Sequence, residues 1–163
     1  MKMQELNLFI VDDNSLVLTN LRNYLNIRFG NDLKISTFHT GANALKEVNK
    51  DTDIVILDYD LGAENGNDVL KSIKKINSNT EVIMFTSNDE IGVAIESFRN
   101  GASDYVIKGD KELKKIASLI NKIITYPIRI MVREFGISKY LAIFLLTFVS
   151  VGVVVFITMH YMN

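Results

Sequence analysis

The chain has 163 residues, with 18 Lys and Arg against 19 Asp and Glu for a net charge of −1, 48% hydrophobic residues and no cysteine. That length suits one domain with a single sizeable core, plus a remainder. The even charge balance carries no electrostatic footprint for nucleic acid, and the missing cysteines exclude disulfides, thiolate metal sites and thiol catalysis.

Residues Met1 to Glu5 are polar, and the apolar run Leu6 to Val11 is too short for the hydrophobic region of a signal peptide, so the N-terminal part is expected to fold in the cytosol. That run reads as a buried strand ending on Asp12 and Asp13. Val17, Leu21, Tyr24, Leu25 and Arg28 follow at helical spacing, and Leu33 to Phe38 reads as a second strand, with His39 beyond it as a loop residue. A third strand, Asp53 to Leu57, runs into Asp58 and Asp60 and then turns on Gly62 and Gly66. Val69, Leu70, Ile73 and Ile76 mark the next helix; Glu81 to Phe85 is a fourth strand ending on Thr86 and Ser87. Asp104 to Ile107 is a fifth, ending on Lys108, and Leu113, Ile116, Ala117, Ile120 and Ile124 form a fifth helical stripe.

Five strand-helix units predict an α/β fold, a doubly wound five-stranded parallel sheet with helices on both faces. Sites in such sheets form at the carboxyl ends of the strands, near the switch point of strand order. There the strands present carboxylates, hydroxyls and one lysine. Two like charges ~4 Å apart repel by about 4 kcal/mol at an effective dielectric of ~20, so converging carboxylates call for a cation. Hard oxygen donors without His or Cys suit Mg²⁺ better than zinc or copper. A carboxylate nucleophile, Mg²⁺, a lysine and a hydroxyl together suit a phosphoryl group. No GxGxxG or GxxxxGKS follows any strand, so dinucleotide and P-loop readings lack their key residues.

In the order and spacing of these residues the chain resembles, over about residues 5 to 125, the receiver domain of two-component response regulators, which has a flavodoxin-like fold. The resemblance implies that Asp12 and Asp13 are the acidic Mg²⁺ pair and Asp58 the phosphoacceptor, itself a metal ligand, with the backbone carbonyl of Asp60 as a further one. Thr86 matches the switch hydroxyl, Tyr105 the switch aromatic and Lys108 the lysine that pairs with phosphate. Leu61 and Gly66 match the apolar residue and the glycine of the loop after the acceptor. Gly62 and Gly109 depart from the family, which commonly has proline at both places, the second with a cis peptide. Asp60 and Asn88 occupy positions that tend to tune the lifetime of the phosphoaspartate. The resemblance further implies Mg²⁺-dependent phosphorylation of Asp58 by a histidine kinase or phosphotransfer protein. That event alters protein-protein contacts on the face of helix 4, strand 5 and helix 5, here including Ile91, Val93, Ile95, Phe98 and Tyr105. Such a domain is a switch rather than an enzyme, apart from self-catalysed phosphorylation and dephosphorylation at Asp58. Two alternatives stand beside this: a haloacid-dehalogenase-like phosphatase using the Asp58-x-Asp60 pair, and a receiver-like membrane scaffold that is never phosphorylated.

The C-terminus is different in kind. Residues 1–126 are expected to form the receiver-like domain. Pro127, Ile128, Met131, Val132 and Phe135, with Arg129 and Arg133 on another face, predict an amphipathic connector over 127–138, or else a continuation of the fifth helix. Within residues 139–160, Tyr140 to Met159 are uncharged, and as a helix at ~1.5 Å per residue they span roughly 30 Å, the thickness of a bilayer core. A transmembrane helix is expected there. Arg129, Arg133 and Lys139 precede it and no Lys or Arg follows, which predicts a single-pass protein of the cytoplasmic membrane with its N-terminal domain in the cytoplasm and a partner at the membrane. No nucleic-acid partner is expected.

Overall fold

The computed structural model describes residues 5–109, 111–134, 147–148, 150–154 and 156–158. In chain order the elements are β1 (Leu6–Val11), α1 (Ser15–Phe29), β2 (Leu33–Phe38), α2 (Gly41–Glu47), β3 (Ile54–Leu57), a hairpin of β4 (Asp60–Leu61) and β5 (Glu64–Asn65), α3 (Gly66–Ile76), β6 (Glu81–Thr86), α4 (Ile91–Arg99), β7 (Asp104–Ile107) and α5 (Glu112–Glu134). The four residues of β3, all buried, have no polar alternation because helices cover both faces of the sheet. The sheet is parallel throughout, in the order β2-β1-β3-β6-β7, so this is the five-stranded, flavodoxin-like arrangement expected from the sequence. Strand order reverses between β1 and β3, and that is where a crevice opens. Asp53, expected inside the third strand, lies just before it, and its carboxylate accepts the Asn7 N–H at 2.8 Å.

Helix α1 corrects one expectation. Its buried stripe is Leu18, Leu21, Leu25 and Phe29; Val17 and Tyr24 flank it half-buried, and Arg28 is exposed, its guanidinium 5.7 Å from the Phe29 ring centroid. Both sets share Leu21 and Leu25, and only the rotation of the helix on the sheet chooses between them. On α3 the expected Val69, Leu70 and Ile73 are buried, but Ile76, at the last turn, has passed beyond the sheet and is exposed. Among the described side chains of α5, Ile116, Ala117, Leu119 and Ile120 are buried.

The chain divides into two units, Met1–Ile120 and Asn121–Asn163. Helix α5 extends to Glu134, so it includes Pro127 and much of the expected connector 127–138. The span expected over 139–160 lies largely outside the described residues. Its described parts, 147–148, 150–154 and 156–158, are helical and exposed. Among the described residues no helix is long and apolar enough to cross a membrane.

Candidate functional site

The backbone ladder alone brings the strand ends together. Val11 is in register with Leu57, and the Asp58 N–H donates to the Val11 carbonyl at 2.9 Å, so Asp12 and Asp58 leave adjacent strands side by side. The Lys108 N–H donates to the Thr86 carbonyl at 2.8 Å, which sets the lysine at the matching end of β7. Asp13, exposed, completes a group in which carboxylate oxygens of Asp12, Asp13 and Asp58 all lie within 4.8 Å of one another. A cleft of about 380 Å³ opens over them, lined by Asp13, Asn14, Asp58, Tyr59, Asp60, Gly62, Thr86, Ser87, Asn88 and Lys108.

Asp12 and Asp58 are buried, and Lys108 Nζ lies 2.6 Å from an Oδ2 of each, with hydrogen-bond geometry to Asp58. The other oxygen of Asp12 accepts the Asn14 N–H at 2.9 Å. Burial raises the Asp12 pKa above the ordinary carboxylate value, because desolvation outweighs the help of Lys108 and the Asn14 N–H, and the Asp58 charge adds to the rise. Burial pulls the Lys108 pKa down, but two carboxylates pull harder, and the net shift is upward. Three carboxylates against one ammonium leave the pocket short of positive charge. The donor set is all oxygen, and its spacing would suit one Mg²⁺ that keeps several of its waters. The chain's residues therefore fit the metal.

Thr86 and Tyr105 meet through a residue whose part was not foreseen. The Asn88 N–H donates to Thr86 Oγ1 at 3.1 Å, while the Tyr105 hydroxyl donates to the Asn88 carbonyl at 2.6 Å. Thr86 is fully buried, and moving its hydroxyl away from the Asn88 N–H breaks the first bond on the same residue whose carbonyl accepts the second. Tyr105 is buried, and that burial raises its pKa, with the neighbouring Tyr59, Asp58, Asp89 and Glu90 adding to it. Of the interaction face named above, Ile91, Ile95 and Phe98 are exposed; Val93 is half-buried and Tyr105 turned inward.

The loop after Asp58 is built rather than slack. Gly62, at φ 71°, makes the turn of the β4–β5 hairpin, and Leu61 is buried beneath it. Gly66 passes so close to β3 that a Cβ there would stand 2.2 Å from the Asp58 carbonyl oxygen, and its N–H donates to the Tyr59 carbonyl at 2.7 Å. The side chain of Asp60 is exposed, and its N–H reaches Asp58 Oδ1 at 3.4 Å. No described peptide bond is cis, so Lys108–Gly109 is trans. His39 is exposed and does not line this cleft.

Residues 8–120 match the family model of the response regulator receiver domain. The chain is 30% identical over 100 residues to the regulatory protein LuxO of Vibrio cholerae, an alignment covering 61% of this chain and 21% of that protein, so it spans about a fifth of that relative's length. The response regulator domain of Thermotoga maritima CheB superposes with a TM-score of 0.61 at 28% identity, over 74% of this chain and 94% of the other. The signal receiver domain of a LuxO repressor protein from Vibrio parahaemolyticus gives 0.69 at 20% identity, over 80% and 98%, a likeness of fold alone.

Proposed function

We propose, from the premise that this chain belongs to the response regulator receiver family and is a domain of phosphorylation-based signalling, that Asp58 is its phosphoacceptor and that the switch works at a membrane surface. Receiver domains are signalling switches, so the output is an altered interaction rather than turnover of a substrate.

The observation that carries the acceptor assignment is the position of Lys108 Nζ, 2.6 Å from both Asp12 and Asp58 where β1 and β3 diverge. An oxygen of Asp58 attacks phosphorus in line, the bond from phosphorus to the donor nitrogen of a phosphohistidine breaks, and its electron pair stays with the imidazole. Lys108, already paired with Asp58, is placed to hold a phosphoryl oxygen as charge moves outward, and the Thr86 hydroxyl turns from the Asn88 N–H to donate to another. Asp12, Asp13, Asp58 and the Asp60 carbonyl would hold Mg²⁺, which when bound neutralises charge on the transferred group. The kinase or phosphotransfer protein supplies the phosphoryl group, and the exposed Ile91, Ile95 and Phe98 of α4 belong to the output face. Incubation with a small acyl phosphate and Mg²⁺ is expected to give a hydroxylamine-sensitive phosphoprotein, and Asp58→Asn to abolish it, since an amide does not attack phosphorus. An unchanged signal in Asp58→Asn moves the acceptor elsewhere. A wild-type chain that takes no label supports the unphosphorylated scaffold, and steady release of phosphate from a generic ester supports the hydrolase.

The membrane part of the proposal is supported by the uncharged run 140–159 and by how its described helical residues are exposed. At ~100° per residue, the exposed Phe148, Val151, Val153, Val154, Phe156 and Ile157 fall on all sides of a helix rather than along one stripe. A partner helix covers a stripe; hydrocarbon covers the whole circumference. Arg129, Arg133 and Lys139 favour an orientation with the receiver domain on the cytoplasmic side. The chain is expected to stay with membranes through high salt and alkali. Replacing Val151, Val153 and Val155 by lysine, at roughly 2.5–3.5 kcal/mol for each charge at the bilayer centre, is expected to release it. Tight membrane association of the triple variant defeats the anchor.

A further inference from the structure

We infer that Glu64 is a positioning residue for the metal side of this site: anchored on the N-terminus of α2, it holds the β4–β5 hairpin and so fixes the Asp60 backbone relative to the three carboxylates. The inference rests on the reading of Asp12, Asp13 and Asp58 as the Mg²⁺ site.

Eight residues, Asp58 to Asn65, connect the end of β3 to the start of α3, and Asp60 stands near the beginning of that stretch. Its backbone is the part of the loop proposed to meet the cation, so whatever orders the hairpin orders a ligand. Two ties lie near the ends and base of the loop: the Gly66 N–H on the Tyr59 carbonyl and Leu61 in the core. The third comes from a distant element. The Glu64 carboxylate accepts the Gly41 N–H at 2.5 Å through Oε2 and the Ala42 N–H at 3.0 Å through Oε1. These are first-turn donors that a helix cannot satisfy internally, and α2, of seven residues, covers only one of the others with its own cap, the Thr40 hydroxyl oxygen accepting the Asn43 N–H. An ionised carboxylate bridging two such groups makes bonds about twice as strong as neutral ones.

Across the hairpin Glu64 pairs with Leu61 and Asn65 with Asp60. The strand carrying Asp60 is thus held from below by Leu61 and from its partner strand by the Glu64 anchor. Without the anchor, the second strand of the hairpin is left with the side-chain bonds of Asn65 alone, which accepts the Asn67 N–H at the start of α3 and donates to Tyr59 Oη. The Asp60 backbone is then free to sample positions away from Asp58, and binding must restore its order. That cost falls on affinity.

The test uses the full chain in lipid vesicles and follows Mg²⁺ by calorimetric titration, alongside the unfolding midpoint of each variant. Glu64→Ala is expected to weaken Mg²⁺ about tenfold, the low end of what losing a residue that orients a metal ligand costs. Glu64→Gln, the same shape with one acceptor oxygen and no charge, is expected to fall between it and wild type. Thr40→Ala strips the α2 cap without touching the hairpin, and is expected to lower the midpoint while leaving the Mg²⁺ Kd unchanged. If Glu64→Ala fails to fold, Glu64→Gln carries the comparison. Wild-type Kd in both Glu64 variants overturns the inference, as does a Thr40→Ala shift as large as theirs, which assigns the effect to α2 in general. A wild-type chain that binds no Mg²⁺ instead overturns the reading of the site, and the two failures are told apart in the wild-type titration.

Discussion

Helices α3 and α4 lie next to one another on the sheet and are held there in different ways. Helix α3 buries Gly66, Asn67, Val69, Leu70 and Ile73, and the Asn65 side chain caps it by accepting the Asn67 N–H. Helix α4 fully buries only Ser97, has no side-chain cap, and leaves Ile91, Ile95 and Phe98 exposed. Where the two meet, the contact is polar: Ser97 Oγ lies 2.8 Å from Asn67 Oδ1 and 2.9 Å from the Val93 carbonyl, with one proton between them, and the buried Asn67 Nδ2 has no partner. One helix is locked to the core by apolar area; the other packs only the half-buried Val93 and Ala94 against it, beside a shared hydrogen bond and an unsatisfied amide. The helix with less buried apolar area opens at lower free energy. It is also the helix that follows directly from Thr86 and Asn88. Of the two, α4 is the weakly held helix, the side from which a switching element is expected to be drawn.

Truncating the two helices separates them most sharply. Leu70→Ala is expected to cost about 2–5 kcal/mol in urea unfolding, since it leaves a cavity at a fully buried position. Ile95→Ala on α4 is expected to stay within about 0.5 kcal/mol. Similar losses at the two positions break the comparison.

The polar contact itself gives the next effect. Asn67→Leu combined with Ser97→Ala removes the unpartnered amide and its partner together, and is expected to stabilise the domain by about 1–3 kcal/mol, the cost of a buried unsatisfied group. In hydrogen exchange the same double variant is expected to slow the amides of α4 more than those of α3. Destabilisation, or equal slowing of both helices, means that the contact is a well-satisfied lock.

The smallest effects are in pH. The folded-state pKa of Asp12 is raised, so its contribution is fully present below the ordinary aspartate value and is lost as pH rises through the raised one, the reverse of a carboxylate whose pKa the fold lowers. Stability is expected to fall with rising pH across that window, and Asp12→Asn to remove the slope while weakening Mg²⁺ binding. Lys108, also raised, contributes below the ordinary lysine value and loses that contribution as pH climbs through its folded one, so Lys108→Met is expected to flatten the alkaline limb. Neither change is expected to alter the exchange of α3 relative to α4. Circular dichroism melts across pH check both slopes.

The strands were readable from the sequence because each is a short segment rich in apolar and β-branched residues that gives way to polar ones. The observed β1 and β2 coincide with the runs Leu6 to Val11 and Leu33 to Phe38, and β6 extends the expected strand by one residue, to Thr86. The residues of the site were readable for a related reason: in a parallel sheet every strand points its carboxyl end the same way, so strand-terminal Asp12, Asp58, Thr86 and Lys108 are gathered by topology whatever the helices do. The rotation of α1, the Glu64 anchor, the Asn88 bridge and the Asn67–Ser97 contact were not. Leu18 and Val17 are both apolar, and only the sheet against which the helix lies chose between them. Glu64 looks like a solvated charge in a loop until the N-terminus of α2, 23 residues away in sequence, is laid against it. Periodicity and strand direction are local properties of a chain and survive without coordinates. Which donor from one element meets which acceptor from another depends on helix rotation and loop path, and those were decided by packing.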